Sequence, residues 1–225
     1  MDSLSAIKDK AVAKIKCEEL EMAQDSKMTQ TIQKSRKTKE TDITLSLLVY
    51  GSGQAKIHTD IGFFNHMLES LTKHSLMDLD INCKGDIFVD GHHSIEDCGI
   101  LLGEALRESI YPVAGIERFG NASVVMDESC VECDIDISNR AFLVFETNAY
   151  RLPFKGKVGE LDVELVEEFF RALCFNAGLS VHIVLKRGKN LHHIIEAMFK
   201  AFAVALRRAL TLNSRIYIPS TKGVL

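Results

Sequence analysis

The cluster His-His-x-x-Glu occurs twice, as His92-His93-Ser94-Ile95-Glu96 and as His192-His193-Ile194-Ile195-Glu196, one hundred residues apart. The apolar residues that follow keep the same register in both copies: Ile95, Cys98, Leu102 and Leu106 in the first, Ile195, Met198, Phe202 and Leu206 in the second. Spacings of three and four residues mark a helix with one apolar stripe. A strand and a Gly-containing loop precede each copy, so the chain is constrained to a fold built twice. Composition alone would produce the cluster about 0.02 times in such a chain, which excludes two chance copies. The expected class is α+β, with two similar half-domains, each a small, mostly antiparallel sheet carrying two helices on one face. The halves are read as 31–120 and 121–225, after an N-terminal extension over 1–30.

Alternation and helical periodicity place the elements. Strands are expected at 42–50, 77–86, around 121–137, 142–148 and 180–186. Helices are expected at 63–75, from about 94 to 110, at 162–177 and from about 191 to 211. Residues 1–27 read as a short polar helix with a weak apolar line (Leu4, Ile7, Ala11, Ile15) and no chemistry.

With 225 residues, 46% of them hydrophobic, the chain can bury a sizeable core, which excludes wholesale disorder. No apolar run reaches the roughly 18–20 residues of a membrane span, so no membrane partner is expected. A net charge of −4 argues against a nucleic-acid surface but leaves room for a local anion pocket. Six irregularly spaced cysteines make no disulfide framework. The N-terminus lacks a signal-peptide core and is too acidic for a transit peptide, which points to the cytoplasm.

The duplicated cluster has the chemistry of a metal site. Residues i and i+4 share a helix face, so His92 with Glu96, and His192 with Glu196, can grip one ion. The neighbouring histidine stands about 100° further round and suits a second ion. His66, at a helix start, and His182, on the strand before the second cluster, complete eight candidate ligands. Shared between two ions, these are four each, which leaves octahedral positions open for substrate or water. Imidazole with carboxylate and no thiolate suits Mn2+, Fe2+ or Zn2+, and a mixed octahedral site favours Mn2+. His58 and His74 have no such partners in the sequence and read as packing or surface residues.

Several stretches resemble the imidazoleglycerol-phosphate dehydratase family of histidine biosynthesis. They are RKTKET (36–41), IGFFNHML (61–68), GDIFVDGHHSIED (85–97), ERFGNASVVMDES (117–129), SNR (138–140), KVGELDVELVEEFF (157–170), GKNLHHIIEAMFKAF (188–202) and PSTKGVL (219–225). The resemblance covers about 34–225. It implies a carbon–oxygen lyase that dehydrates imidazole glycerol phosphate to imidazole acetol phosphate, with two Mn2+ per active site. It also implies a site built between subunits of a homo-oligomer of 24 chains. Glu40 would be acid and base at the substrate side chain, with Asp127 and Lys200 assisting proton handling. Arg118, Arg140, Ser220 and Lys222 would clamp the phosphate, a dianion suited to guanidinium and ammonium donors.

The reaction has a physical logic. The substrate C–H has no neighbouring carbonyl, so direct proton removal is hard. An imidazole ring made more acidic by cations can instead push out the adjacent hydroxyl, after which a base takes the neighbouring proton and the enol becomes a ketone.

Some positions depart from the family pattern. Asn65 stands where the family has Asp, Ser70 where Gln is common, and Asp60 and Asn139 where Gly is usual. Two other motifs carry nothing. Cys130-x-x-Cys133 lies in a strand-like stretch without a second pair, and Asp134-Ile-Asp136-Ile-Ser138 lacks the extra domain of an aspartyl-phosphatase loop. A metal-binding cage without turnover is the alternative reading, but a cage needs neither Glu40 nor a phosphate clamp. A metallohydrolase is disfavoured because the cluster is neither HExxH nor HxxEH.

Overall fold

The computed structural model describes residues 29–147 and 154–222, so the helix read over 1–27 lies outside the described residues. The first half runs β1 (Thr31–Lys37), β2 (Thr41–Leu48), β3 (Ala55–His58), α1 (Gly62–Ser75), β4 (Asp78–Gly85) and α2 (His92–Ile110). The second runs β5 (Phe119–Met126), β6 (Ser129–Asp136), β7 (Phe142–Glu146), the short pair β8 (Lys157–Val158) and β9 (Leu161–Asp162), α3 (Leu165–Ala177), β10 (Ser180–Arg187) and α4 (Leu191–Ala209).

The sheet orders β1-β2-β4-β3 and β5-β6-β10-β7 are the same topology, with two antiparallel pairings followed by one parallel pairing in each. The α+β class with two four-stranded sheets and four helices is therefore as read. Strict alternation makes the inner strands: Ile43, Leu45 and Leu47 of β2 point to the core, as do Leu79, Ile81 and Cys83 of β4. The edge strands β1 and β3 escape a pattern-based reading, since β1 buries only Ile32 and β3 is four residues long and buries none of them.

Each helix packs within its own half, and the helices pair with one another across the halves. α2 lies on β1, β2 and β4 and against α3, while α4 lies on β5, β6 and β10 and against α1. A Cβ added at Gly99 or Gly103 of α2 would stand 2.7 Å from the Phe169 carbonyl oxygen or 2.6 Å from that of Leu173, so only glycine admits α3 this closely. Phe64, Phe169, Phe170, Phe199 and Phe202 close one shared core, with Phe169 stacked on Phe199 at 5.3 Å.

Helix ends differ from the expected ones for identifiable reasons. α2 begins at His92, because the Asp90 carboxylate accepts the His92 amide at 2.8 Å and Ile95 bonds back to the Gly91 carbonyl. The start of α4 at Leu191 is as read, and the Asn190 side chain fixes it by accepting the His192 and His193 amides. α3 begins three residues late because Leu161 and Asp162 pair with β8. α4 stops at Ala209, where the chain turns to bridge Leu212 with Ile116.

Candidate metal centre and substrate site

Both doublets sit in the first turn of their helices, and both helices begin at the same end of the helical layer. Ile61, just before α1, packs on Gly91 beside the first doublet, and the Phe63 ring lies 4.9 Å from that of His192. The structure sorts the candidate residues into three groups.

The first group joins the halves. His66 on α1 meets His192 and Glu196 on α4, with one donor atom of each within 4.8 Å of the others. Glu196 Oε2 is 3.1 Å from His192 Nε2 and 3.6 Å from His66 Nε2, and Lys200 Nζ is 2.7 Å from Glu196 Oε1. Burial raises the Glu196 carboxyl, but the bond from Lys200 and its charge more than reverse this and hold it below the usual range. The neighbouring His193 presents Nδ1 to Glu128 at 2.8 Å, while Nε2 is 3.7 Å from Asp127.

Asp127 and Glu128 form the β5–β6 turn, with Asp127 at φ 47°. Glu128 also accepts the Lys189 and Asn190 amides, fastening this turn to the start of α4. Its carboxyl sits far below the ordinary range, chiefly through the Asn190 amide and the His193 ring. Glu128 was not singled out from the sequence, although it follows Asp127 directly in MDES.

The second group surrounds the first doublet. His92 Nε2 is 3.9 Å from Glu96 Oε2, and His93 Nδ1 is 3.1 Å from Asp86 Oδ1. The Asp86 amide in turn bonds the Glu40 carbonyl at 3.0 Å, which brings the exposed Glu40 turn to this doublet. The Asp86 and Glu128 bonds raise His93 and His193, respectively, above the ordinary histidine value. Each carboxylate holds Nδ1 and leaves Nε2 outward, which is how a carboxylate orients a ligating imidazole.

No third donor joins His92 and Glu96 among the described residues, and the repeat explains why. α1 and α3 both end in a left-handed residue, Leu76 at φ 62° and Gly178 at φ 69°. Ten positions before these caps stand His66 and Glu168, so the counterpart of His66 is an acid, which pairs with Arg171.

The third group lies elsewhere. His182 is exposed on the outer face of the second sheet, opposite Asp134 on β6 and Val144 on β7. Along that face stands Asp136, gripped by Arg118 through Nε at 2.7 Å and Nη2 at 3.1 Å, with Arg140 Nη2 at 3.9 Å. Arg118 Nη1 also donates to the Pro219 carbonyl at 2.7 Å, which ties down the stretch holding Ser220 and Lys222. The Arg118 amide bonds the Ala209 carbonyl at the far end of α4. A helix rises about 1.5 Å per residue, so His192 and Ala209 stand about 25 Å apart.

The departures from the family pattern stay clear of the donors. Asn65 Oδ1 accepts the Thr59 amide at 2.9 Å and its hydroxyl at 2.6 Å, pinning the loop before α1. Ser70 is buried on α1, and its hydroxyl has no partner among the described residues. Cys130 and Cys133 are both buried as free thiols in β6.

Imidazole and carboxylate donors gathered across a duplicated α+β fold make a candidate metal site of the kind that enzymes use. A family model described as Imidazoleglycerol-phosphate dehydratase matches residues 59–206. An imidazoleglycerol-phosphate dehydratase of Helicobacter hepaticus is 80% identical over 194 residues, which is 86% of this chain and 96% of that relative. The one of Wolinella succinogenes is 70% identical over 85% of this chain and 98% of its own. The crystal structure of imidazoleglycerol-phosphate dehydratase from Staphylococcus aureus superposes with a TM-score of 0.73 at 42% identity, covering 82% of this chain and all of that one. That of IGPD from Pyrococcus furiosus in complex with (S)-C348 gives 0.72 at 36% identity, covering 85% of this chain and all of its own. The chain belongs to the imidazoleglycerol-phosphate dehydratase family and is a hydro-lyase.

Proposed function

We propose that the chain dehydrates imidazole glycerol phosphate to imidazole acetol phosphate in histidine biosynthesis, in the cytoplasm. It uses two Mn2+ per site, and each site is completed by residues of a second copy in a homo-oligomer, of 24 chains by family resemblance. The carrying observation is the separation within one chain: Arg118 is anchored at Ala209, about 25 Å along α4 from His192, and His182 lies on the outer sheet face. One substrate cannot span that distance, so clamp and doublets serve one molecule only when they come from different copies. Exposed Phe119, Val125 and Phe142 on the same outer face provide apolar surface for such a contact.

The donors suit the ions. His66, His192 and Glu196 converge, and His93 and His193 are held by carboxylates with Nε2 outward. His92, Glu96 and His182 complete the set of eight. When bound, a divalent ion makes an imidazole N–H more acidic and thereby turns the ring into an electron source. Glu40 carries the proton at the substrate side-chain carbon. Lys200 keeps Glu196 ionised, and Asp127 faces the outward nitrogen of His193. Arg118, Arg140, Ser220 and Lys222 hold the phosphate, where bidentate donors fix a dianion in one orientation.

Metal analysis of the purified protein with an assay for the ketone product tests this reading. Two equivalents of Mn2+ per chain and ketone formation are expected. A loaded protein that makes no ketone would instead be a metal-binding cage.

A further inference from the structure

We propose that Asp97 is a positioning residue that holds the Glu40 turn against the helix bearing the first doublet; this rests on the role given to Glu40 above. Glu40 is exposed in the turn between β1 and β2, where its charge acts on the His93 ring. The turn is built by Thr38: its hydroxyl accepts the Glu40 amide at 3.0 Å and the Thr41 amide at 2.9 Å. Both flanks then converge on one buried carboxylate. Arg36, at the end of β1, donates from Nε to Asp97 Oδ1 at 2.7 Å. Thr41, at the start of β2, donates its hydroxyl to Asp97 Oδ2 at 2.5 Å. Asp97 is 7% exposed and follows Glu96 directly on α2. From the other side, the Glu40 carbonyl takes the Asp86 amide, and the Asp86 carboxylate holds His93.

The Glu40 turn is thus fastened twice to the helix that presents His92, His93 and Glu96. Burying a carboxylate costs solvation that a buried ion pair barely recovers, so the arrangement adds geometry more than stability. Geometry is what a proton-transferring group needs, since a displacement of about 1 Å can cost about 100-fold in rate.

The experiment compares Asp97→Asn, Glu40→Gln and the double variant in the Mn2+-loaded enzyme. In Asp97→Asn, kcat is expected to fall about 100-fold with KM and metal content near wild type. In the Glu40→Gln background the same change should cost no more than about threefold, because a positioning residue has nothing left to position. A full further 100-fold loss in the double variant, or a change confined to KM or metal content, overturns the proposal. Wild-type turnover in Glu40→Gln alone would instead remove the underlying role of Glu40. If Asp97→Asn does not fold, Thr41→Val removes one arm while Thr41→Ser keeps it. Loss of kcat in the valine variant and near-complete rate in the serine variant supports the proposal, and equal rates in both overturn it.

Discussion

His66 Nε2 stands 3.6 Å from Glu196 Oε2, although one residue lies on α1 in the first half and the other on α4 in the second. The contact exists because the helices pair across the halves, so a donor trio forms that neither half could assemble alone. The two ends of this trio also share the phenylalanine core, which couples the site to folding.

Removing the metal should therefore do more than stop chemistry. Chelation is expected to abolish ketone formation and to loosen the assembly, read as a fall in mass by analytical ultracentrifugation, because binding energy invested in the donors is also association energy. Full turnover by metal-depleted protein would defeat the metal-dependent mechanism.

Loading should depend on pH in a defined direction. Asp86 raises His93, and Glu128 raises His193, so both stay protonated above the ordinary value of 6.5 in the metal-free chain. An imidazolium has no lone pair to give, so protons compete with the metal. At limiting Mn2+, occupancy followed by calorimetry should fall as the pH is lowered. Occupancy that holds steady down to pH 5 would count against these two rings as ligands.

Glu40→Gln should leave metal content and melting temperature unchanged while cutting turnover by orders of magnitude, since the amide cannot carry the proton. Wild-type kcat in this variant would clear Glu40 of the role.

The two arginines should separate. Arg140 is largely exposed and only 3.9 Å from Asp136, so Arg140→Ala is expected to raise KM about tenfold with kcat and stability kept. Arg118 is 12% exposed and holds both Asp136 and the Pro219 carbonyl, so Arg118→Ala should raise KM and also lower the melting temperature. An unchanged KM in Arg140→Ala would take it out of the clamp.

Gly120 of β5 tests the packing at the far end of α4. A Cβ there would lie 2.0 Å from the Ala205 carbonyl oxygen and 2.5 Å from the Ala209 amide nitrogen, backbone atoms with nowhere to go. Gly120→Ala should cost about 2–4 kcal/mol, or roughly 5–15 °C in melting temperature. A melting temperature equal to wild type would mean that β5 and α4 are not in such close contact.

The two His-His-x-x-Glu helices and the inner strands β2, β4 and β10 were legible because their signals are local: i, i+4 spacing and alternation repeat within a few residues of one element. β1 and β3 were not, because an edge strand buries one face poorly and carries little pattern. The site divides along the same line. The sequence by itself determined which side chains could ligate a metal and that each doublet offers one histidine to a helix face shared with its glutamate. Only the tertiary structure decided that His66 joins the second cluster, while Glu168, at the counterpart position on α3, pairs with Arg171. It alone decided that Asp86 and Glu128 orient the outer rings, and that His182 and the arginines face away from both. These choices depend on loops and helices meeting across the repeat, and a contact between residues distant along the chain leaves no periodicity in the sequence to read.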